Sequence, residues 1–177
     1  MAPGTEARQE EQVVVFRLGN EHYGLDIGSV QEIIVWQPVT RIPRAPEYVE
    51  GVINLRGNVL PVLDLRKRFR LEAAQVGPQT RIVVVEVDGQ ILGLVVDGVS
   101  EVLRIPAEAV EPPSAVLAGA GTRFLRGVAR VGERLIILLD GQRILSGDEV
   151  DAAVAAGRDE AAGAGAGTDG QVAVAAG

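Results

Sequence analysis

Apolar and polar positions alternate along this chain in short runs, and the runs come in pairs. "VVVFRL" (Val13 to Leu18) is a β-branched run, "GNEHYG" supplies a turn and "YGLDI" returns, which is a hairpin pattern. "EGVINLRGNVLPVLDL" repeats it, with Arg56-Gly57-Asn58 at the turn. Pro61 in the second arm predicts an edge position or a bulge, because proline has no N–H to give to a ladder. "RIVVVEVDGQILGLVVD" turns at Asp88-Gly89, and "GVARVGERLIILLD" turns at Gly132-Glu133. Short helical turns are expected after Asp64 and Asp140, where each aspartate can cap the turn that follows.

The hairpins form a two-fold internal repeat. "YGLDIGSVQEI" matches "LGLVVDGVSEV", which pairs Gly24 with Gly93, Val30 with Val99 and Glu32 with Glu101, each 69 positions on. "YVEGVINLRGNVLPVLDL" matches "FLRGVARVGERLIILLDG", which pairs Gly51 with Gly127 and Asp64 with Asp140, each 76 positions on. The segments 24–66 and 93–141 are the most alike. The pattern predicts an all-β fold: two similar five-stranded barrels of the SH3/OB kind, closed so that no sheet edge is exposed. Barrels this small are filled by side chains. Any functional surface then lies outside them or in a groove between them.

Length and composition set the frame. Of 177 residues, residues 1–10 read as a flexible N-terminus and residues 148–177 as a flexible Ala/Gly tail with too few large apolar groups to offset the entropy of ordering. The remaining segment, 11–147, is long enough to bury about two-thirds of its unfolded surface. Aromatics are only 3%, so Val, Leu and Ile carry the packing. No run of 18 apolar residues suggests a membrane span, and the polar, acidic start is unlike a secretory signal, so a cytoplasmic location is expected.

Candidate chemistry is sparse. The single histidine, His22, falls in a predicted turn, where it reads as solvent-facing. With no cysteine and one histidine, neither a Cys–His pair nor a His/Cys zinc site can be built. Asp64 and Asp140 at equivalent repeat positions invite comparison with a carboxylate dyad, but neither is followed by the small hydroxyl residue such a site uses, and capping explains both. No cofactor or metal is expected, and no enzyme activity. Arg66, Lys67, Arg68 and Arg70 around Phe69 form the one basic patch, which would suit a small-barrel nucleic-acid binder. The net charge of −7 opposes that reading, because such binders carry a basic excess. A solvated helical turn is the simpler explanation. Trp36, beside a Pro-rich loop, suits either a half-buried packing role or a partner anchor.

The motifs "VQEI" (Val30 to Ile33), "TRIPRAPEYVEGVINLRGNVLPVLDLR" (Thr40 to Arg66) and "LGLVVDGVSEVL" (Leu92 to Leu103) resemble those of the CheW family of bacterial chemosensory coupling proteins. The resemblance covers about Glu11 to Ser146. It implies a non-catalytic adaptor that joins the cytoplasmic tips of chemoreceptors to the regulatory domain of the histidine kinase CheA. It places receptor binding on Arg56 and Gly57 of the "NLRG" turn with Val30, Glu32 and Ile33. It places kinase binding on the second barrel around Val99, Leu103 and Ile105. Glu32 is expected to hold the Arg56 guanidinium in a set direction.

Overall fold

A computed structural model of the chain describes residues 10–72, 75–112, 124–144 and 155. The tail 148–177, apart from residue 155, and the N-terminal residues 1–9 lie outside the described residues. Among the described residues eleven strands follow in order: β1 (Glu10–Leu18), β2 (Glu21–Asp26), β3 (Val30–Val35), β4 (Val49–Leu55), β5 (Asn58–Asp64), β6 (Arg81–Val87), β7 (Gln90–Val96), β8 (Gly98–Pro106), β9 (Val110–Glu111), β10 (Leu125–Val131) and β11 (Arg134–Leu139). One helical turn, α1 (Leu65–Arg68), follows β5, and two 3-10 turns precede β3's and β9's first residues. The four predicted hairpins are β1–β2, β4–β5, β6–β7 and β10–β11.

The strands form two sheets, ordered β3-β6-β7-β5-β4 and β8-β1-β2-β11-β10-β9. Each sheet draws on both repeats. Adding 69 carries β1, β2 and β3 onto β6, β7 and β8, and adding 76 carries β4 and β5 onto β10 and β11. The first repeat therefore lends its opening hairpin to the second sheet, and the second repeat lends its own to the first. The borrowed hairpin is joined in each case through a parallel pair, β5 with β7 and β11 with β2. Even the irregularities are duplicated. Register shifts fall at Val49/Gly51 and Leu125/Gly127, and again between Val30 and Glu32 on β3 and at the equivalent place on β8, between Val99 and Glu101.

β3 and β4 are the ends of one strand order, β8 and β9 of the other. The ends of each strand order are joined by the chain's own continuation: Thr40, after β3, pairs with Val52 of β4, and β9, one 3-10 turn after β8, pairs with β10. The expected pair of small barrels is therefore present, and the ionic contacts described below add side-chain links near the same seams. Pro61 is buried in β5, an interior strand rather than an edge. It opposes Val52 of β4, while pairing with β7 begins only at Val62, so the missing N–H interrupts no β7 bond.

Three apolar clusters follow from the alternation. Ile53, Leu60, Val62, Ile82 and Val84 fill the first sheet's concave side. Val13, Val15, Ile105, Ala129, Ile136 and Leu138 fill the second's. The largest cluster, including Phe16, Leu25, Leu63, Val83, Leu94 and Leu139, lies where the sheets meet. The two sheets pack against each other through this cluster. Phe16, Tyr23, Phe69 and Phe124 stack in a column with successive centroids 6.0, 5.8 and 4.4 Å apart. His22 is half-buried within β2, opposite Arg17 and Ile136, and not in a turn, because the loop is only Gly19-Asn20.

Candidate functional site

The β4–β5 hairpin turns on Arg56 and Gly57, whose φ angles of +52° and +88° place both in the left-handed region. That is the demand of a two-residue hairpin turn matched to strand twist. Asn54 Oδ1 accepts the Gly57 N–H at 2.8 Å and secures the loop. At the corresponding position of β6–β7 the chain uses Asp88 (φ +53°), a residue type that tolerates this region. A branched-free but bulky arginine gains nothing there from the backbone, so its side chain is the reason for its presence.

Arg56 Nη2 donates to Glu32 Oε2 of β3. The pair is exposed, the arginine side chain at 66%. It joins the tip of β4–β5 to β3, two elements with no backbone pairing between them. The ion pair thus adds a side-chain link near the seam between the sheet's two end strands. Ile33 follows Glu32 and is exposed, as are Val35 at 67% on the same strand and Val59 beside the hairpin tip. Val30 is half-buried and packs into the inter-sheet core instead of lining a surface. The sequence reasoning missed Val35 and Val59. The period of two starting from Ile33 carries the signal for Val35.

The second sheet holds a counterpart. Arg134 Nη2 lies 2.8 Å from Glu101 Oε2, a pair that joins β11 to the edge strand β8. Glu101 is the repeat partner of Glu32. Arg134 stands 76 positions after Asn58, so the arginine has moved from the turn to the first strand residue. Val102 and Leu135, the partners of Ile33 and Val59, are likewise exposed.

The three kinase candidates do not form such a surface. Ile105 is fully buried in the second sheet's core, Leu103 packs against the same cluster and Val99 packs into the inter-sheet core. Val99 faces the inter-sheet core and Leu103 and Ile105 the second sheet's own core, while Ser100, Glu101, Val102 and Arg104 are the exposed residues of β8. The exposed residues that sequence reasoning missed, Arg134 and Leu135, were within reach of the repeat arithmetic.

The basic run is consumed by internal contacts, which corrects its reading as a solvated turn. Asp64 caps α1, its Oδ1 accepting the Arg66 N–H at 2.9 Å. Arg66 Nε donates to both Asp97 carboxylate oxygens, at 2.8 and 3.1 Å. Lys67 Nζ sits 2.7 Å from Glu50 Oε2, a contact of charge without an aligned hydrogen bond. Arg68 Nε donates to the Ile144 carbonyl at 2.9 Å, and its guanidinium lies over Tyr48. Phe69 is inside the aromatic column. Only Arg70 of the run is exposed.

Burial alone would raise the Asp97 carboxyl, but hydrogen bonds from Arg66 and the Gly19 N–H outweigh it and hold the group below the usual carboxylate range. Asp64 goes the other way: burial, only partly offset by the Arg66 N–H, pushes it up. Asp140 caps a turn and not a helix, its Oδ1 accepting the Gln142 N–H at 3.0 Å. Trp36 is half-buried against the first sheet's core and lines a concavity of about 390 Å³ with Arg41, Glu50, Lys67, Val76 and Asp97. Arg56 and Glu32 are not among its walls. No group of three metal-ligating side chains occurs among the described residues, and no described helix is long and apolar enough to cross a membrane.

The CheW-like domain matches residues 12–149, most of the chain. The chain belongs to that family. A chemotaxis protein CheW from Klebsiella aerogenes is 39% identical over 140 residues, covering 79% of this chain and 84% of that one. Protein FrzA of Myxococcus xanthus is 34% identical over 152 residues, covering 82% and 94%. The crystal structure of TtCheW, a scaffolding protein from Thermoanaerobacter tengcongensis, superposes with a TM-score of 0.70 at 42% identity, covering 75% of this chain and 90% of that one. TtCheW thus shares the architecture described above.

Proposed function

We propose that this chain is a non-catalytic adaptor with two separate docking surfaces, one for a chemoreceptor's cytoplasmic tip and one for the regulatory domain of the histidine kinase CheA. The observation that carries the reading is the exposed Arg56–Glu32 clasp, whose two elements also carry the exposed Ile33, Val35 and Val59. A guanidinium held by a carboxylate presents its remaining donors in a fixed fork, which suits the carboxylates and carbonyls of a helical hairpin. The apolar neighbours suit the hairpin's apolar stripe. We assign the kinase-facing surface to Glu101, Val102, Arg134 and Leu135, which are the exposed equivalents on the second sheet. The chain works in the cytoplasm beside the membrane through its partners and needs no cofactor. A nucleic-acid reading is disfavoured because Arg66, Lys67 and Arg68 are already committed within the fold.

A pull-down with a soluble receptor cytoplasmic fragment and with CheA, run beside a nucleic-acid mobility-shift assay, tests this. Capture of both proteins and no shift is the expected result. A salt-sensitive shift without capture of either protein would replace the adaptor by the nucleic-acid binder.

A further inference from the structure

Two polar contacts cross between the sheets at equivalent places, with different chemistry. Arg66 stands two residues after the capping Asp64, and Gln142 stands two after the capping Asp140, 76 positions on. Gln142 Oε1 accepts the Asp88 N–H at 3.0 Å, and its Nε2 donates to the Glu86 carbonyl at 3.0 Å. It thereby holds the β6–β7 turn of the other sheet. Arg66 faces the equivalent β1–β2 turn, where Gly19 is 69 positions before Asp88. Arginine has donors only and cannot take a backbone N–H. Asp97 supplies the missing acceptor: its Oδ2 takes both Arg66 Nε, at 2.8 Å, and the Gly19 N–H, at 2.6 Å. One crossing is a neutral amide and the other is an ionic relay.

We propose that Gln142 and the Arg66–Asp97 pair are positioning residues, two latches that fix the angle between the receptor-facing and kinase-facing surfaces. The apolar inter-sheet core favours contact but is non-directional, so the directed bonds at its two ends fix the angle. Each latch also joins the two surfaces through the chain itself. Asp97 directly precedes β8, which carries Glu101 and Val102, and α1 directly follows β5, whose hairpin carries Arg56. Gln142 holds the hairpin whose β6 pairs with β3, the strand of Glu32 and Ile33.

This rests on the two-surface reading, so the test has one readout free of partners. The chain has no cysteine. Spin labels on cysteines introduced at the exposed Val59 and Leu135, one on each sheet, report the inter-sheet distance. Gln142→Ala, an exposed change that spares the core, is expected to broaden the distance distribution, as is Asp97→Asn. In full-length protein, Kd for receptor fragment alone and for CheA alone should stay within about twofold of the parent. Affinity for a receptor–CheA assembly should fall at least about tenfold, because gain from simultaneous engagement requires both surfaces to be in register. Gln142→Glu, which keeps the acceptor for Asp88 N–H, should retain part of that gain. An unchanged distance distribution overturns the latch outright. A broadened distribution with assembly affinity unchanged overturns its role in positioning. Loss of the binary affinities in the unmutated chain would instead overturn the two-surface reading.

Discussion

Arg56 sits where the backbone would rather have asparagine, aspartate or glycine, and its side chain is mostly in solvent. Stability and binding should therefore pull in opposite directions at this position. Arg56→Asn is expected to raise stability by up to about 1 kcal/mol, since Asn-Gly is the preferred pair for this turn, and to weaken receptor binding. Thermal denaturation beside a binding titration checks both signs, and a destabilised Asn variant would mean that the clasp to Glu32 outweighs the turn preference. Glycines show the same separation of causes. A Cβ on Gly51 would lie 1.9 Å from the Thr40 carbonyl oxygen, backbone that cannot swing aside. Gly51→Ala should cost about 3 kcal/mol. At Gly57 nothing stands within 4 Å, and only φ opposes a side chain. Gly57→Ala should cost about 1 kcal/mol. Equal losses in denaturant titrations of the two variants would contradict this division between steric and conformational causes.

α1 is a single turn, yet it ties β4, the β7–β8 junction and the chain at Ile144 together. Asp97 is its main partner. A carboxylate held below its ordinary range stabilises the fold fully above its unfolded pKa, near 4, and loses that contribution as pH falls through the folded value. Asp97→Asn should cost about 2 kcal/mol at neutral pH, because it leaves a part-buried guanidinium without its counter-charge. The gap between parent and variant should stay constant above about pH 5 and narrow below about pH 4. A gap that persists unchanged into acid would show that the contact is a neutral hydrogen bond in effect. Much of this element level was legible in the sequence. Turn residues and alternation give every hairpin, and the Asp64 and Asp140 caps follow from their place after apolar runs. The burial of Val99, Leu103 and Ile105 in two different cores was not legible from the motif match, because a register shift within β8 turns Val99 to one face and Leu103 and Ile105 to the other. Nor could charge counting show that Arg66, Lys67 and Arg68 each meet a partner more than ten residues away or across a sheet.

For the whole molecule, the repeat was readable and the exchange of hairpins was not. Internal matches tell which segments are equivalent, but pairing across repeats is settled only by which concave face each hairpin fills. The consequence is a body whose two exposed clasps, Arg56–Glu32 and Arg134–Glu101, are related by the repeat yet differ in where the arginine sits. On the proposed two-surface reading, this difference in geometry at equivalent places is what distinguishes the two partners. The most direct measurement is a pair of titrations, receptor fragment and CheA, against the parent chain and Arg56→Ala. Exposed ion pairs contribute only about 0–1 kcal/mol to stability, so the variant should melt close to the parent. At a desolvated interface the same truncation costs on the order of 2 kcal/mol or more, so receptor affinity should fall at least about tenfold. CheA affinity should hold. Receptor affinity that is unchanged in a folded Arg56→Ala chain, or equal losses for both partners, would contradict separate surfaces with Arg56 at the receptor-facing one.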